Sequence, residues 1–539
     1  MQRRAPDAER CAVPPPSSKS GLPTSMKRLL LPRWCIFVFV LLSPGARLVA
    51  ANPPTPVAVA SVDELRSRIT AHVSQPRFAS ALWGVKIASL ASGRTVFEHH
   101  ADRLMSPASN SKLYTGALAL DQLGRDYRIV TPILASTKPD AAGELHGDLV
   151  ISGRGDPSWK ARGTKNDFWA AFTPVVDAIA AAGVRHVTGD LVADATFFHS
   201  LPNGAGWTAD DLNDDYGAEI SAVTLEDNYA EVRLAPGQRV GEPITVSWLQ
   251  PLAALQVDLR MTTMPKGAEK HVVAQRLFGE TTVHLFGGLA IGSAPVVVEV
   301  TVPRPADWFA RGLKEALAKR GIRVEGAARG VRWPEVSVAS GNRVEIARVQ
   351  SPPMRELVAA FMKPSQNLET DLIFGHIGEL TRTNRTPEWK TTEELGVVAL
   401  EGFLKKHGLR SAEVKFEEGS GLSRNNLTTA NATVAVLTMM KKHAARDDFV
   451  GALPIAGVDG TLRRRMKGTA AEGNARAKTG SLRYANTISG YVTTAVGEEL
   501  VFSVMLNRNS GQPANRNVRE ELDDIVVMLA GLTGRSEAR

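Results

Sequence analysis

Apolar and polar positions alternate along the chain in a pattern that separates helices from strands and gives their order. Ser61-Val62-Asp63-Glu64 has the form of a capping box, and Leu65 and Ile69 behind it predict a helix over 62–73. From Leu82 to Phe97 apolar residues alternate on both sides of Ser92-Gly93-Arg94, with Trp83, Val85 and Ile87 before it and Val96 after it, so a β-hairpin is expected. An Ala- and Leu-rich stretch over 105–124 predicts a helix ending at Gly124 and places Ser109 at or near its first turn. Helical spacing returns around 353–382 and 391–407, and a strand pair over 486–495 and 499–506 turns at Gly497. Val518, Leu522, Ile525 and Leu529 then mark a last amphipathic helix.

Between about 139 and 341 the texture changes to short alternating stretches: Leu149-Val150-Ile151, Val187 to Val192, Val240 to Trp248, Thr281 to Leu285 and Val296 to Val302. One longer helical pattern, Trp308 to Arg320, interrupts them, and no fixed-period repeat is found. The fold class expected is therefore α+β, with a core formed by 62–138 and 342–535 and a mostly β insertion over 139–341.

Composition sharpens this picture in two respects. At 539 residues, 43% hydrophobic and 22% charged, the chain is long enough for several cores and too apolar to be disordered or fibrous. The formal net charge of +8 invites a nucleic-acid reading, but residues 1–51 hold eight basic and two acidic side chains, leaving +2 for all the rest. No electrostatic footprint for nucleic acid remains.

The front segment reads instead as an export signal: Lys27 and Arg28, an apolar run from Trp34 to Leu42, the Pro44-Gly45 break, then Ala50 and Ala51. The run is nine residues, about half of a bilayer span. Met26 is an alternative start. Both cysteines, Cys11 and Cys35, lie in this segment, so the mature chain, expected outside the cytoplasmic membrane, has no thiol for a nucleophile, a metal site or a disulfide.

Three short strings carry candidate chemistry: Ser109-Asn110-Ser111-Lys112, Ser365-Gln366-Asn367 and Lys478-Thr479-Gly480. Each is weak alone; their order and setting add weight. A serine hydroxyl needs a base within hydrogen-bond reach, and a lysine one helical turn away serves if its ammonium is desolvated or lies near another cation. Lys112 is in that place and Lys478 is the candidate cation. Ser365 can relay a proton to a leaving amine, and Asn367 can hold Lys112 and a substrate amide. The N–H groups of Ser109 and Ser481 can form an oxyanion hole, and Thr479 and Ser481 can bind a substrate carboxylate. Read singly, the lysines are more often solvated surface residues and Ser109 more often a helix cap, and Ser365 and Asn367 are equally capping or turn residues.

Other candidates carry less. The 11 histidines show no metal-ligand spacing, and no metal or cofactor is expected. Arg154-Gly155-Asp156 precedes Pro157 and reads as a turn, Gly287-Gly288 lacks the lysine of a phosphate loop, and Arg463-Arg464-Arg465 reads as a solvated basic loop.

Taken together the three strings resemble the active-site motifs of penicillin-recognising serine enzymes. More closely, the chain resembles the class C low-molecular-mass penicillin-binding proteins, the D-alanyl-D-alanine carboxypeptidase/endopeptidase family of penicillin-binding protein 4. Similar stretches include Pro107-Ala108-Ser109, Gly147-Asp148-Leu149, Gly155-Asp156-Pro157, Gly419-Ser420-Gly421-Leu422-Ser423-Arg424, the run Leu453 to Gly460, and Lys478 to Leu482. The spacing of 256 positions from Ser109 to Ser365 is similar to the large insertion of that class.

The resemblance implies an antiparallel sheet flanked by helices, with two small nested domains inserted over 139–341. It implies Ser109 as the acylated nucleophile, Lys112 as base, Ser365 and Asn367 in relay and positioning, and Lys478, Thr479, Gly480 and Ser481 along the cleft. The expected substrates are peptidoglycan stem peptides, and the expected covalent inhibitors are β-lactams. Gln366 and Glu418 depart from the family, which usually has Asp at both places. The alternatives are a β-lactamase or esterase on the same core, for which no Glu-x-x-Leu-Asn string follows Ser365, and a non-catalytic wall-binding or β-lactam-sensing module.

Overall fold

Two hairpins from opposite ends of the sequence share one sheet. In the computed structural model, which describes residues 58–162, 167–509 and 516–536, five antiparallel strands lie in the order Arg476–Leu482, Ala485–Thr493, Glu499–Asn507, Leu82–Ser89, Thr95–His99. The expected export segment, with Cys11 and Cys35, lies outside the described residues.

The central strand, Glu499–Asn507, sends alternate side chains to opposite faces, as its pleat requires. Phe502 and Val504 join Val85 and Ile87 against Leu65 and Ile69 of helix Val62–Val73 and Leu522, Ile525 and Leu529 of helix Val518–Ala530. Val501 and Tyr491 face the other way, into a cluster with Leu113, Phe361, Phe374 and Leu437. Each such fully buried side chain contributes roughly 1.5–3 kcal/mol. The expected cap forms with one variation: Ser61 Oγ accepts the Glu64 N–H at 3.1 Å, while the Glu64 carboxylate accepts from Ala60 N, one residue before Ser61.

Two expected helices differ in detail, and both differences matter to the site. The 105–124 stretch begins as a 3-10 turn, Ala108–Asn110, which holds Ser109, and continues as helix Ser111–Gln122. The 353–382 stretch is two helices, Met354–Met362 and Asn367–Leu380. Pro364 cannot donate to the helical ladder, and Ser365 adopts φ +72°. Ser365 therefore sits in the break, not within a helix as its surroundings had suggested.

The inserted region builds a second five-stranded sheet, in the order Ala328–Val331, Leu191–Asp194, Leu149–Ser152, Val130–Ala135, Val344–Gln350. Its last two strands pair with each other and lie outside the 139–341 range expected of the insertion. The single strand expected over Val187 to Val192 is two, His186–Val187 and Leu191–Asp194. Gly189 separates them, against the backbone of Gly147, where a Cβ would stand 2.4 Å from the carbonyl carbon. Residues 229–301 form two further three-stranded sheets around a small cluster that includes Val232, Leu234, Met261 and Leu285. Helix Pro305–Lys319 starts earlier than its apolar pattern showed, with Pro305 in the first turn.

The main cluster of the inserted region also takes in Leu368 and Leu372 of helix Asn367–Leu380. The insertion thus packs against the element that carries Asn367. Because Phe502 is fully buried at the centre of the first sheet, Phe502→Ala is expected to cost about 3–5 kcal/mol in denaturant unfolding monitored by circular dichroism.

Candidate active site

The turn holding Ser109 is clamped between two close backbone approaches. Ala108 has φ +47°, and Gly421, at φ +87°, lies so close that a Cβ would be 1.9 Å from the Ala108 carbonyl oxygen. On the other side Gly480 packs against the same turn: its Cβ would be 2.6 Å from Pro107 O and 2.9 Å from Ser109 N. Neither position admits a side chain. The sheet then holds the turn by hydrogen bonds, Thr487 Oγ1 donating to Pro107 O at 2.8 Å and Asn110 Nδ2 to Ser489 Oγ at 2.7 Å.

Within that clamp the three strings meet. Lys112 Nζ donates to Ser109 Oγ at 3.2 Å, to Asn367 Oδ1 at 2.6 Å and to the Ser420 carbonyl at 2.7 Å. Lys478 Nζ donates to Ser365 Oγ and to Thr479 O, each at 2.7 Å. Both lysines are 0% exposed, while Ser109 and Ser365 are half-buried and accessible from the cleft. Burial disfavours the ammonium form and pushes Lys112 down to about 8, against the opposing pull of Asp371 and Glu418. That is a penalty of roughly 3 kcal/mol on the charged state. Burial also holds Lys478 well below the ordinary lysine value, and the Lys112 charge adds to the effect.

Thr479, Gly480 and Ser481 run along strand Arg476–Leu482, which is the edge of its sheet and leaves one side free for an extended ligand. Thr479 Oγ1 is 2.7 Å from Thr461 Oγ1, and Ser481 is exposed, its hydroxyl donating to Asn486 Oδ1 at 3.2 Å. All eight residues singled out in the sequence lie along this one cleft.

The D-Ala-D-Ala carboxypeptidase 3 (S13) family pattern matches residues 65–529, most of the chain. The chain belongs to that S13 family. It is 34% identical to the D-alanyl-D-alanine carboxypeptidase of Actinomadura sp. (strain R39) over 517 residues, 93% of this chain and 91% of that one. It is 25% identical over 417 residues to the D-alanyl-D-alanine carboxypeptidase DacB of Haemophilus influenzae, 76% of this chain and 82% of that one. The crystal structure of penicillin-binding protein 4 (dacB) from Haemophilus influenzae superimposes with a TM-score of 0.70 at 24% identity, covering 86% of this chain and 97% of that one, which shows the shared fold.

In this S13 chain several site residues had no role assigned from sequence. The Gly419-Ser420-Gly421 string supplies the Ser420 carbonyl that accepts from Lys112. Asp371, one helical turn beyond Asn367, accepts the N–H groups of Gly419 and Ser420 at 3.0 and 2.9 Å and so fixes that string beneath the lysine. Glu418 does the same from within, its carboxylate accepting from Gly421 N at 2.8 Å, from Asn426 Nδ2 at 2.7 Å and from Ser420 Oγ. Burial and the neighbouring Glu418 raise Asp371 far above the usual carboxylate range. The insertion contributes the Tyr216 carbonyl, which accepts from Asn367 Nδ2 at 2.9 Å. Gln366, the other departure from the family, caps helix Asn367–Leu380 by accepting from Glu369 N at 3.4 Å.

Among the described residues His72, Glu521 and Asp524 bring ligand atoms within 4.8 Å of one another. Arg77 Nη2 lies 2.9 Å and Arg516 Nε 3.1 Å from the Glu521 carboxylate, so the trio is already neutralised by guanidinium groups and lacks the free charge a cation needs.

The clamp generates a test. Gly480→Ala is expected to displace the Ser109 turn and reduce the rate of covalent labelling by a fluorescent penicillin by about 10²-fold or more, with the circular dichroism spectrum unchanged.

Proposed function

We propose that this S13 chain is an exported serine DD-peptidase of the cell wall, removing terminal D-alanine from stem peptides and cutting cross-links that end in the same D-alanyl bond. The observation that carries the reading is Ser109 Oγ at 3.2 Å from the amine of a fully buried lysine held near 8. Roughly a tenth of such lysines are neutral at pH 7, enough to accept a proton.

Neutral Lys112 takes the proton of Ser109 Oγ as the oxygen attacks the carbonyl of the penultimate D-alanine. Two N–H groups, of Ser109 and Ser481, receive the developing oxyanion. The C–N bond then breaks, and the leaving amine takes the proton that Lys112 removed from Ser109, relayed through Ser365, which Lys478 holds by hydrogen bond at 2.7 Å. Water then attacks the Ser109 ester, its proton passing to neutral Lys112 and from there to Ser109 Oγ as the ester C–O bond breaks. Asn367 keeps the Lys112 amine aimed and presents its amide to the substrate. Thr479 and Ser481 receive the terminal carboxylate. A β-lactam follows the same route as far as the acyl-serine and stops there.

The leader over 1–51 supports export, and among the described residues no helix is long and apolar enough to cross a membrane. The strand pairing supports an insertion drawn from about 130 to 350, with 229–301 nested in it as the second small domain.

Wild-type residues 52–539 should bind a fluorescent penicillin covalently and release D-alanine from a D-Ala-D-Ala pentapeptide, and Ser109→Ala should do neither. Label retained in Ser109→Ala would mean another nucleophile; label without D-alanine release would favour the sensor. Because Lys112 acts in its neutral form, the second-order acylation rate should rise about tenfold per pH unit below 8 and level off above it in stopped-flow measurements. A rate independent of pH between 6 and 9 would remove Lys112 from the base role.

A further inference from the structure

A cavity of about 580 Å³ adjoins the cleft at the end marked by Thr479. Lys363 and Pro364 in its wall immediately precede Ser365, and Thr461, also in the wall, has its hydroxyl 2.7 Å from that of Thr479. Its lining is rich in cations, and most of the charges are already committed. Arg465 donates from Nε and Nη2 to the two oxygens of Asp523 at 3.0 and 2.7 Å. Lys363 donates to Asp459 at 2.6 Å, and Glu520 has Arg516 Nε at 3.7 Å.

Arg463, Arg464 and Arg519 are the exceptions. All three line the cavity, all three are exposed, and among the described residues none of their guanidinium groups has an ion pair or hydrogen bond. Asp523 is held by Arg465 and Glu520 lies near Arg516, which also pairs with Glu521, so three guanidinium groups, those of Arg463 and Arg464 adjacent in sequence, face the cavity without a paired counter-charge among the described residues. Guanidinium groups of this kind pair with carboxylates in fork geometry.

We infer that this cavity is a carboxylate-binding subsite for the leaving strand of a cross-linked substrate, with Arg463 and Arg464 as its specificity-determining residues. The inference rests on the DD-peptidase reading and extends it. A departing D-alanine ends at the carboxylate that Thr479 and Ser481 receive, so it has nothing to place beyond Thr479. A leaving amine that belongs to a second stem peptide continues past that point, and the peptide carries free carboxylates of its own. The cavity lies where that continuation runs and presents the opposite charge.

The test compares wild type with the double variant Arg463→Glu/Arg464→Glu. Three substrates are used: a D-Ala-D-Ala pentapeptide, a cross-linked dimer of stem peptides, and the same dimer with the carboxylates of its leaving strand amidated. Both side chains are exposed and unpartnered, so the melting temperature should not change. The double variant should lose about tenfold or more in kcat/KM on the dimer, through KM, with the pentapeptide within about twofold of wild type. The amidated dimer should be cut equally by both proteins. Equal cleavage of the unmodified dimer by both proteins would overturn the subsite, as would equal losses on dimer and pentapeptide, which would reassign the arginines to the terminal carboxylate. Wild-type protein that cuts the pentapeptide and not the dimer would overturn the subsite and leave the peptidase reading standing. Wild-type protein that cuts neither would defeat the peptidase reading itself.

Discussion

Two buried lysine amines, with hydrogen bonds to neutral oxygens and, among the described residues, no carboxylate in contact with either, are the constraint around which this molecule is arranged. Removing an ammonium group from water is costly unless it is paired or gives up its proton. Here Lys112 has no ion-pair partner among the described residues, and burial lowers its proton affinity to about 8, so that its neutral form is populated near pH 7. The supporting residues direct the amine without neutralising it: Asn367 and the Ser420 carbonyl fix its direction, and Asp371 and Glu418 fix Ser420. Asp371, itself raised by burial and by Glu418, contributes geometry through the Gly419 and Ser420 N–H groups it accepts.

The fold exists to bring together three segments far apart in sequence. Ser109 comes from a turn before a helix, Ser365 from a break between two helices, and Lys478 from an edge strand. Their approach depends on missing side chains as much as on present ones, since Gly421 and Gly480 leave room for the Ser109 turn on both sides. The insertion is part of the same construction. It buries Leu368 and Leu372 of the Asn367 helix and reaches Asn367 itself through the Tyr216 carbonyl.

Much of the core was legible because its elements follow simple periods. The hairpin over Leu82 to Phe97, the strand pair turning at Gly497 and the helix carrying Val518 to Leu529 each bury one face, and burial on one face leaves a periodic trace. The three strings were legible as residue types in order, and the fold brings them together, because a serine with a lysine one turn away has few structural reasons to recur with two further motifs. What the sequence left hidden depends on contacts between distant segments. The helix break at Ser365 follows from Pro364 together with a left-handed residue, and apolar spacing runs across it without a mark. Asp371, Thr461 and the Tyr216 carbonyl act only by where the folded chain places them. Arg463 and Arg464 read as a solvated loop because a basic run looks the same whether it faces open water or lines a cavity beside a cleft.

The proton affinity of Lys112 decides the account most directly. Lysine labelled with ¹³C at Cε, observed by NMR through a pH titration and assigned by the signal lost in Lys112→Met, reports the protonation of this one amine. A midpoint near pH 8 is the result expected from its burial. A midpoint at the ordinary lysine value of 10.5 would mean that Lys112 stays an ammonium at neutral pH and that Ser109 has some other base.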